Sequence, residues 1–343
     1  MTNETEIIPT RQELFIGPHR IDPPLLAAPM AGFSDDVYRA IIRRLGGVGL
    51  PFTEMLSARG FFYKTEGRGE ELDRLRGIRD EPKPLAAQIW DNDPGRLASM
   101  ARHLAEEYKV SVIDLNFGCP ARAIAGKAES GSRLLDTPER VEEIVARVAQ
   151  AASPIPVTAK IRLGTSSKRI TACEVAEAVE RAGGAALTVH GRTAADKYRG
   201  QADWEQIARI KPHLKSIPLI GNGDLRSADD VVHAMATYPV DGVMIGRAAL
   251  GRPWLFSQAA AALAGDQPRP EPDMATRCEI ILDHHRAVCE HFGPERGTVQ
   301  MRRFACNYVT GIRGSRSFRD QISRVTNPEE FQTLVRQLFA AED

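Results

Sequence analysis

The sequence predicts an α/β protein, a (β/α)8 TIM barrel followed by a small C-terminal all-helical domain. Three observations carry this. Eight short apolar runs alternate with longer segments of helical period. Most of the runs are continuously apolar, as strands covered on both faces of a parallel sheet should be. The first run leads into "APMAGFSDD" rather than a GxGxxG turn, which argues against a doubly wound dinucleotide fold.

Residues 1–20 read as an N-terminal leader, with neither the basic stretch nor the apolar core of a secretory signal. The barrel is expected over 21–263. Its strands are "LLAAPMA" (25–31), "VGLPFTEM" (48–55), "PLAAQIW" (84–90) and "VIDLNFG" (112–118), then "PVTAKIRLG" (156–164), "ALTVHGR" (186–192), "IPLIGNGD" (217–224) and "GVMIGRAAL" (242–250). The intervening helices carry their own punctuation. Thr137-Pro138 opens one as cap and first residue, Ser227 caps another, and Gly183-Gly184 closes a third. "AGDQPRPEPDMAT" supplies a proline-rich linker, placed at 264–272. Residues 273–343 have helical period in "ATRCEIILDHHRAVCEHF", "TVQMRRFACNYVTGI" and "PEEFQTLVRQLFAAE".

Composition narrows the function classes. Formal net charge is zero over 343 residues, so no global field points to a polyanion or a membrane surface. No apolar stretch approaches the ~20 residues needed to span a bilayer. The five cysteines, at 119, 173, 278, 289 and 306, are odd in number and scattered, which fits reduced thiols and a cytoplasmic protein. Cys278, His284, His285, Cys289 and His291 cluster on one helical segment, but their spacing matches no compact zinc module, and no metal is expected.

Barrel enzymes build their sites from the loops at the C-terminal strand ends. Here those ends carry Pro29-Met30, Glu54, Gln88, Asn116 with Cys119, Lys160 with Arg162, His190, Asn222 with Asp224, and Gly246-Arg247. All eight ends supply a polar or turn-forming residue, and that coincidence marks a site. "GNGD" (221–224) and "GR" (246–247) let backbone N–H groups approach a ligand, with Arg247 beside them, which suits a phosphate. The phosphate could belong to a substrate or to a cofactor such as FMN. Singly, Lys160 is equally suited to an ion pair and His190 to a satisfied core position. Cys119 stands apart from the other thiols because it follows a strand end and is fixed by Pro120. A thiol of ordinary pKa, near 8.5, is mostly protonated at neutral pH and can act as an acid or, once ionised, a nucleophile.

The runs "APMAGFSD", "FTEM", "AAQIW", "DLNFGCPA", "AKIRLG", "TVHGRTAADKYRGQADW", "IGNGD" and "VMIGRAALGRPWLF" together resemble the tRNA-dihydrouridine synthases, most of all their bacterial B-type branch. The resemblance runs from about residue 25 to 256 and more loosely beyond. It implies an FMN barrel with a helical tRNA-binding domain that reduces the C5=C6 bond of uridine with NADPH. By it, Pro29, Met30, Ala31, Gln88, Lys160, His190, Asn222, Gly223, Asp224, Gly246 and Arg247 would contact the flavin. Asn116 and Arg162 would lie nearer the uracil, and Cys119 would be the general acid.

Residues 296–324 hold Arg296, Arg302, Arg303, Arg313, Arg316, Arg319 and Arg324 against Asp320 alone, a local excess of +6. With Tyr308 and Phe318 interleaved, that composition suits RNA phosphate and stacking contacts, Arg302 and Arg303 among them. A solvated helix face would look similar. tRNA is the expected partner, with no membrane and no protein partner implied. The stretch after "NFGCPA" departs from the family pattern at Ala123, Glu129 and Arg133, and "RRFACNY" stands where "RKH..WY" is usual. A free pyrimidine as substrate, or RNA binding without catalysis, are the competing readings. The loop after Cys119 carries no apolar stripe and is expected to lie unpacked, ready to close over a substrate.

Overall fold

The computed structural model describes residues 13–66, 68 and 73–340. The eight expected strands form one parallel sheet, each pairing with the next, and the eighth returns to the first with Val243 opposite Leu25. The barrel therefore closes. All strands are shorter than their apolar runs: Leu25–Ala27, Ala86–Trp90, Val112–Phe117, Val157–Arg162, Ala186–His190, Leu219–Asn222 and Gly242–Ile245. The residues beyond each end turn into the loops at the mouth.

The second strand is broken. Leu50–Pro51 pairs with the first strand and Leu56–Ser57 with the third, joined only by a bridge from Phe52 to Ala86. Pro51 has no N–H for the ladder, and Thr53 fills in with both backbone and side chain. Its N–H donates to the Ala86 carbonyl at 2.9 Å, and its Oγ1 accepts from Gln88 N at 3.1 Å.

Because the strands are parallel and in register, even-numbered residues face the barrel axis in every strand except the second half of the broken one, where Leu56 pairs with outward-facing Ile89. Leu26, Phe52, Ala86, Val112, Ala186, Ile220 and Met244 form the floor of the interior. Odd-numbered neighbours such as Ile89, Ile113, Leu115, Ile161, Val189 and Val243 pack outward against the helices. Burying each such side chain contributes roughly 1.5–3 kcal/mol. Above the floor the axial positions turn polar: Gln88, Asp114, Asn116, Thr158, Lys160, Thr188, His190 and Asn222. A strand that is apolar on one face can thus place polar groups in the core of a barrel without exposing them.

Leu14–Ile16 and His19–Ile21 form an antiparallel hairpin within the stretch expected as a leader. Its Leu14, Ile16 and Ile21 pack onto the barrel floor and stopper that end. At the helix starts, Ser227 makes a full capping box with Asp230. Thr137 sits at the cap position before Pro138, but its side chain makes no capping bond. Gly183, at φ +86°, follows the Ala172–Arg181 helix as expected. No helix among the described residues is long and apolar enough to cross a membrane.

Gly265 ends the Leu255–Ala264 helix in a left-handed conformation. The segment that follows is pinned by Glu271, which receives Trp254 Nε1 at 2.8 Å and Arg277 at 2.9 Å. Four helices follow among the described residues: Met274–Phe292, Pro294–Tyr308, Ser315–Ile322 and Pro328–Ala340. The short third helix has no counterpart among the segments the sequence suggested. Phe304, on the second, meets Tyr38 in a stacked pair and Phe33 edge-on at 5.2 Å, both from the barrel. An aromatic joint therefore fixes the helical region against the first barrel helix and the loop before it.

Candidate active site at the barrel mouth

A cavity of ≈720 Å³ opens at the C-terminal ends of the strands. Pro29, Met30, Ala31, Gln88, Asn116, Cys119, Lys160, Arg162, His190, Asn222, Gly223, Asp224, Gly246 and Arg247 all line it. The volume lies in the range of about 300–1,000 Å³ typical of cofactor and ligand sites. A second cavity of ≈520 Å³, beside Trp204, His233 and Tyr238, lies among the outer helices and shares only Asp224, Leu225 and Arg226 with the mouth. The mouth gathers the reactive groups, so the chemistry belongs there.

One wall is a network of side chains. Asp114 is fully buried and accepts from Gln88 Nε2 at 2.7 Å and Thr158 Oγ1 at 2.7 Å. Gln88 Oε1 accepts from Asn116 Nδ2 at 2.8 Å. Asn116 Oδ1 in turn accepts from Gly118 N at 3.1 Å and Cys119 N at 2.9 Å. On its other side the Cys119 carbonyl accepts from both the N–H and the hydroxyl of Ser132, each at 3.1 Å. Cys119 is thus held at both ends of its peptide. Burial pushes its thiol pKa up, against the lowering influence of the Ala121 N–H and of Arg162 and Lys160, so the group stays protonated at neutral pH.

The loop after Cys119 is packed, contrary to the expectation. Arg122–Lys127 and Gly131–Asp136 form two short helical turns that bury Ile124, Leu134 and Leu135. Single apolar residues anchor such turns without any stripe. Gly131, at φ +56°, lies so close that a Cβ there would stand 2.7 Å from the Cys119 carbonyl oxygen. Arg133 pairs with Asp136 at 3.1 Å.

Among the described residues Lys160 makes one hydrogen bond, to Asn222 Oδ1 at 2.9 Å, and no ion pair, with the Asp114 charge supporting its ammonium without direct contact. Burial and the nearby Arg162 lower its pKa to about 8. Arg162 is 3 % exposed, and three of its bonds run to backbone carbonyls: Gly118 at 2.9 Å, Thr193 at 2.8 Å and Lys197 at 2.7 Å. It clamps two mouth loops together. His190 is held well below its ordinary pKa, first by burial and then by the cations around it. Arg192 Nη1 stands 3.3 Å from its Nε2 and can only donate, so that nitrogen accepts and the ring proton rests on Nδ1.

Opposite lies a wall made of backbone. Asn222 donates to the Met244 carbonyl at 2.7 Å, and Gly223 follows at φ +131°. The Asp224 carboxylate is engaged by Arg192 at 2.7 Å and the Ala202 N–H at 2.7 Å. Asp224 therefore shapes this turn through its side chain and faces the cavity with what remains. Gly246 precedes the short helical turn Arg247–Ala249. Arg247 lies over the Tyr198 ring at 4.3 Å, and Arg162 over the same ring at 5.5 Å.

The arginines of the helical region divide in two. Arg302 holds the Val325 carbonyl at 2.6 Å and Arg319 the Cys306 carbonyl at 3.1 Å, so both are structural in part. Arg303 reaches the mouth and lies over Phe33 at 5.1 Å. Arg296, Arg313, Arg316 and Arg324 are exposed and form no ion pair among the described residues. His284 and His285 are buried. His285 Nε2 donates to Thr298 Oγ1 at 3.0 Å, because that hydroxyl gives its own proton to the Pro294 carbonyl.

Asp114, Thr158, Arg192 and Tyr198 were not singled out by the sequence reading. A charged residue inside "VIDLNFG" was the signal for the first. Nothing in spacing alone pairs Arg192 with Asp224.

The dihydrouridine synthase (Dus) family model matches residues 25–342. The tRNA-dihydrouridine synthase B of Pseudomonas aeruginosa is 37% identical over 326 residues, covering 95% of both chains. A probable tRNA-dihydrouridine synthase of Mycobacterium tuberculosis is 35% identical over 333 residues, 95% of this chain and 84% of that one. Among solved structures, histamine dehydrogenase from Rhizobium sp. 4-9 superposes with a TM-score of 0.55 at 14% identity, over 81% of this chain and 50% of that one. A variant of NCR from Zymomonas mobilis gives 0.51 at 15% identity, over 73% and 91%. At such identities the likeness is one of fold.

Proposed function

The chain belongs to the dihydrouridine synthase family, in its bacterial B-type branch, and is an enzyme that reduces uridine in tRNA; from that premise we propose that it works with FMN, NADPH and Cys119 as general acid. The observation that carries the cofactor is Lys160. A half-buried ammonium whose one hydrogen-bond partner among the described residues is a neutral amide, with the Asp114 carboxylate acting on it without direct contact, gains from an electron-rich group that completes its surroundings. A flavin ring at the mouth would do so. Lys160, Gln88 and His190 would meet its polar edge, and Pro29, Met30 and Ala31 would lie against it. The N–H groups of Gly223, Asp224, Gly246 and Arg247, with the Arg247 side chain, suit its phosphate. FMN bound there supplies hydride equivalents that NADPH replenishes.

The protein's own part is proton delivery and positioning. The Cys119 thiol, kept protonated by burial, gives its proton to uracil C5 as C6 gains hydrogen, and the S–H bond breaks as the C5–H bond forms. The thiolate left behind sits in the field of Arg162 and Lys160, which favour it. Water at the mouth then restores the proton. A uridine must leave its stack to reach this depth, at a cost of a few kcal/mol, so unpaired loop nucleotides are preferred. The exposed arginines of the helical region and Arg303 would hold the RNA backbone during that step.

The test is mass mapping of tRNA after incubation with the protein and NADPH. A uridine that gains two hydrogens is expected. If every uridine stays unchanged while the protein binds flavin and oxidises NADPH on a free pyrimidine, the small-molecule reading takes its place.

A further inference from the structure

We propose that Asp114 is a positioning residue, a single buried carboxylate that sets the direction of a chain of side-chain amides ending at Cys119. Asp114 lies two residues before Asn116, inside the fourth strand, and no part of it reaches solvent. A carboxylate only accepts hydrogen bonds. Gln88 must therefore turn its NH2 toward Asp114, and Thr158 must give its hydroxyl proton. Gln88 Oε1 is then left for Asn116, which must donate with its own NH2. That in turn points Asn116 Oδ1 at the N–H groups of Gly118 and Cys119. Each amide has two orientations, and the carboxylate selects one of them for the whole series.

Two consequences follow for the site. The second N–H of Gln88 is what remains for the cavity, so Gln88 offers a donor there. The Cys119 backbone is fixed from the N-terminal side by an acceptor that cannot rotate away without breaking two further bonds. Burial raises the Asp114 pKa to about 6, opposed by the Thr158 and Gln88 bonds and the charge of Lys160, so the group is ionised at neutral pH. Its distance from the thiol in the bond series makes it a support, with no contact to reacting atoms.

The inference rests on the function proposed above for its kinetic part and on geometry alone for the rest. In Asp114→Asn, which keeps the shape, hydrogen exchange of the Gly118 and Cys119 amides should rise by about tenfold in the protein as purified, with the other barrel strands unchanged. Dihydrouridine formation should fall by roughly 10–100-fold with melting temperature and flavin content retained. Asp114→Asn added to Gln88→Ala should cost no more than Gln88→Ala alone, because both cut the same series. Unchanged local exchange, or losses that multiply, would overturn the proposal. Should Asp114→Asn not fold, Thr158→Val removes one of the two donors and should raise the same two amide rates, more weakly; no rise overturns it. If the wild type makes no dihydrouridine, the function fails, while the exchange measurement still decides the amide series.

Discussion

The two walls of the mouth recognise by different means. From the third strand to the sixth the wall works through braced side chains: Gln88 and Asn116 bond each other, Lys160 reaches across to Asn222, Arg162 holds the Gly118 carbonyl, and Arg192 steadies His190. From the seventh strand round to the first, glycines and tight turns present the backbone, and the one carboxylate there is engaged by Arg192. The difference teaches where chemistry and anchoring reside. Under the proposed function, braced side chains would tune charge and aim a proton. Backbone turns grip a group whatever side chains surround them, provided nothing intrudes on their path.

Four experiments can break or sharpen this contrast. Cys119→Ala, on the braced wall, should lower turnover by about 100-fold or more while the visible flavin absorbance stays; loss of colour instead would place anchoring on that wall. Gly223→Val should do the reverse. Its φ of +131° and a Cβ only 2.5 Å from that of Ala202 impose strain of roughly 1–3 kcal/mol at the turn. The flavin-to-protein ratio should drop, and a variant that keeps full flavin but loses turnover would erase the distinction.

The third concerns pH. The Lys160 pKa is lowered to about 8, so the ammonium is present below that value and lost above it. Turnover should therefore decline above pH 8 by up to about tenfold per unit, and Lys160→Met should flatten that limb of the profile. The smallest effect belongs to neither wall. Arg316→Ala and Arg324→Ala should each reduce the slope of log affinity for tRNA against log salt by about 1, leaving flavin content and the reduction step alone.

Much of this architecture was legible from residues alone, and the exceptions have physical causes. Continuously apolar runs gave the strand positions, because outward residues meet helices and the axial floor is apolar too. The same runs concealed Asp114 and Thr158, since a barrel can bury polar axial residues that no solvent-facing alternation would reveal. The second strand looked whole because "VGLPFTEM" is apolar enough, yet Pro51 cannot support a ladder. The loop after Cys119 looked unpackable because short turns that bury one or two apolar residues, here Ile124 and then Leu134 with Leu135, leave no periodic trace. Asp224 was assigned from its neighbours in "GNGD", whereas its partner Arg192 lies 32 residues earlier and only folding brings them together.

The hairpin of Leu14, Ile16 and Ile21 has a kinetic meaning as well as a structural one. It seals the floor of the barrel with hydrocarbon, so among the described residues the polar chamber is reached from the strand ends. Under the function proposed above, reductant and nucleotide would share that entrance, one leaving before the other enters. Parallel lines in double-reciprocal plots would be the signature of that order, with three apolar side chains closing the end farthest from the mouth.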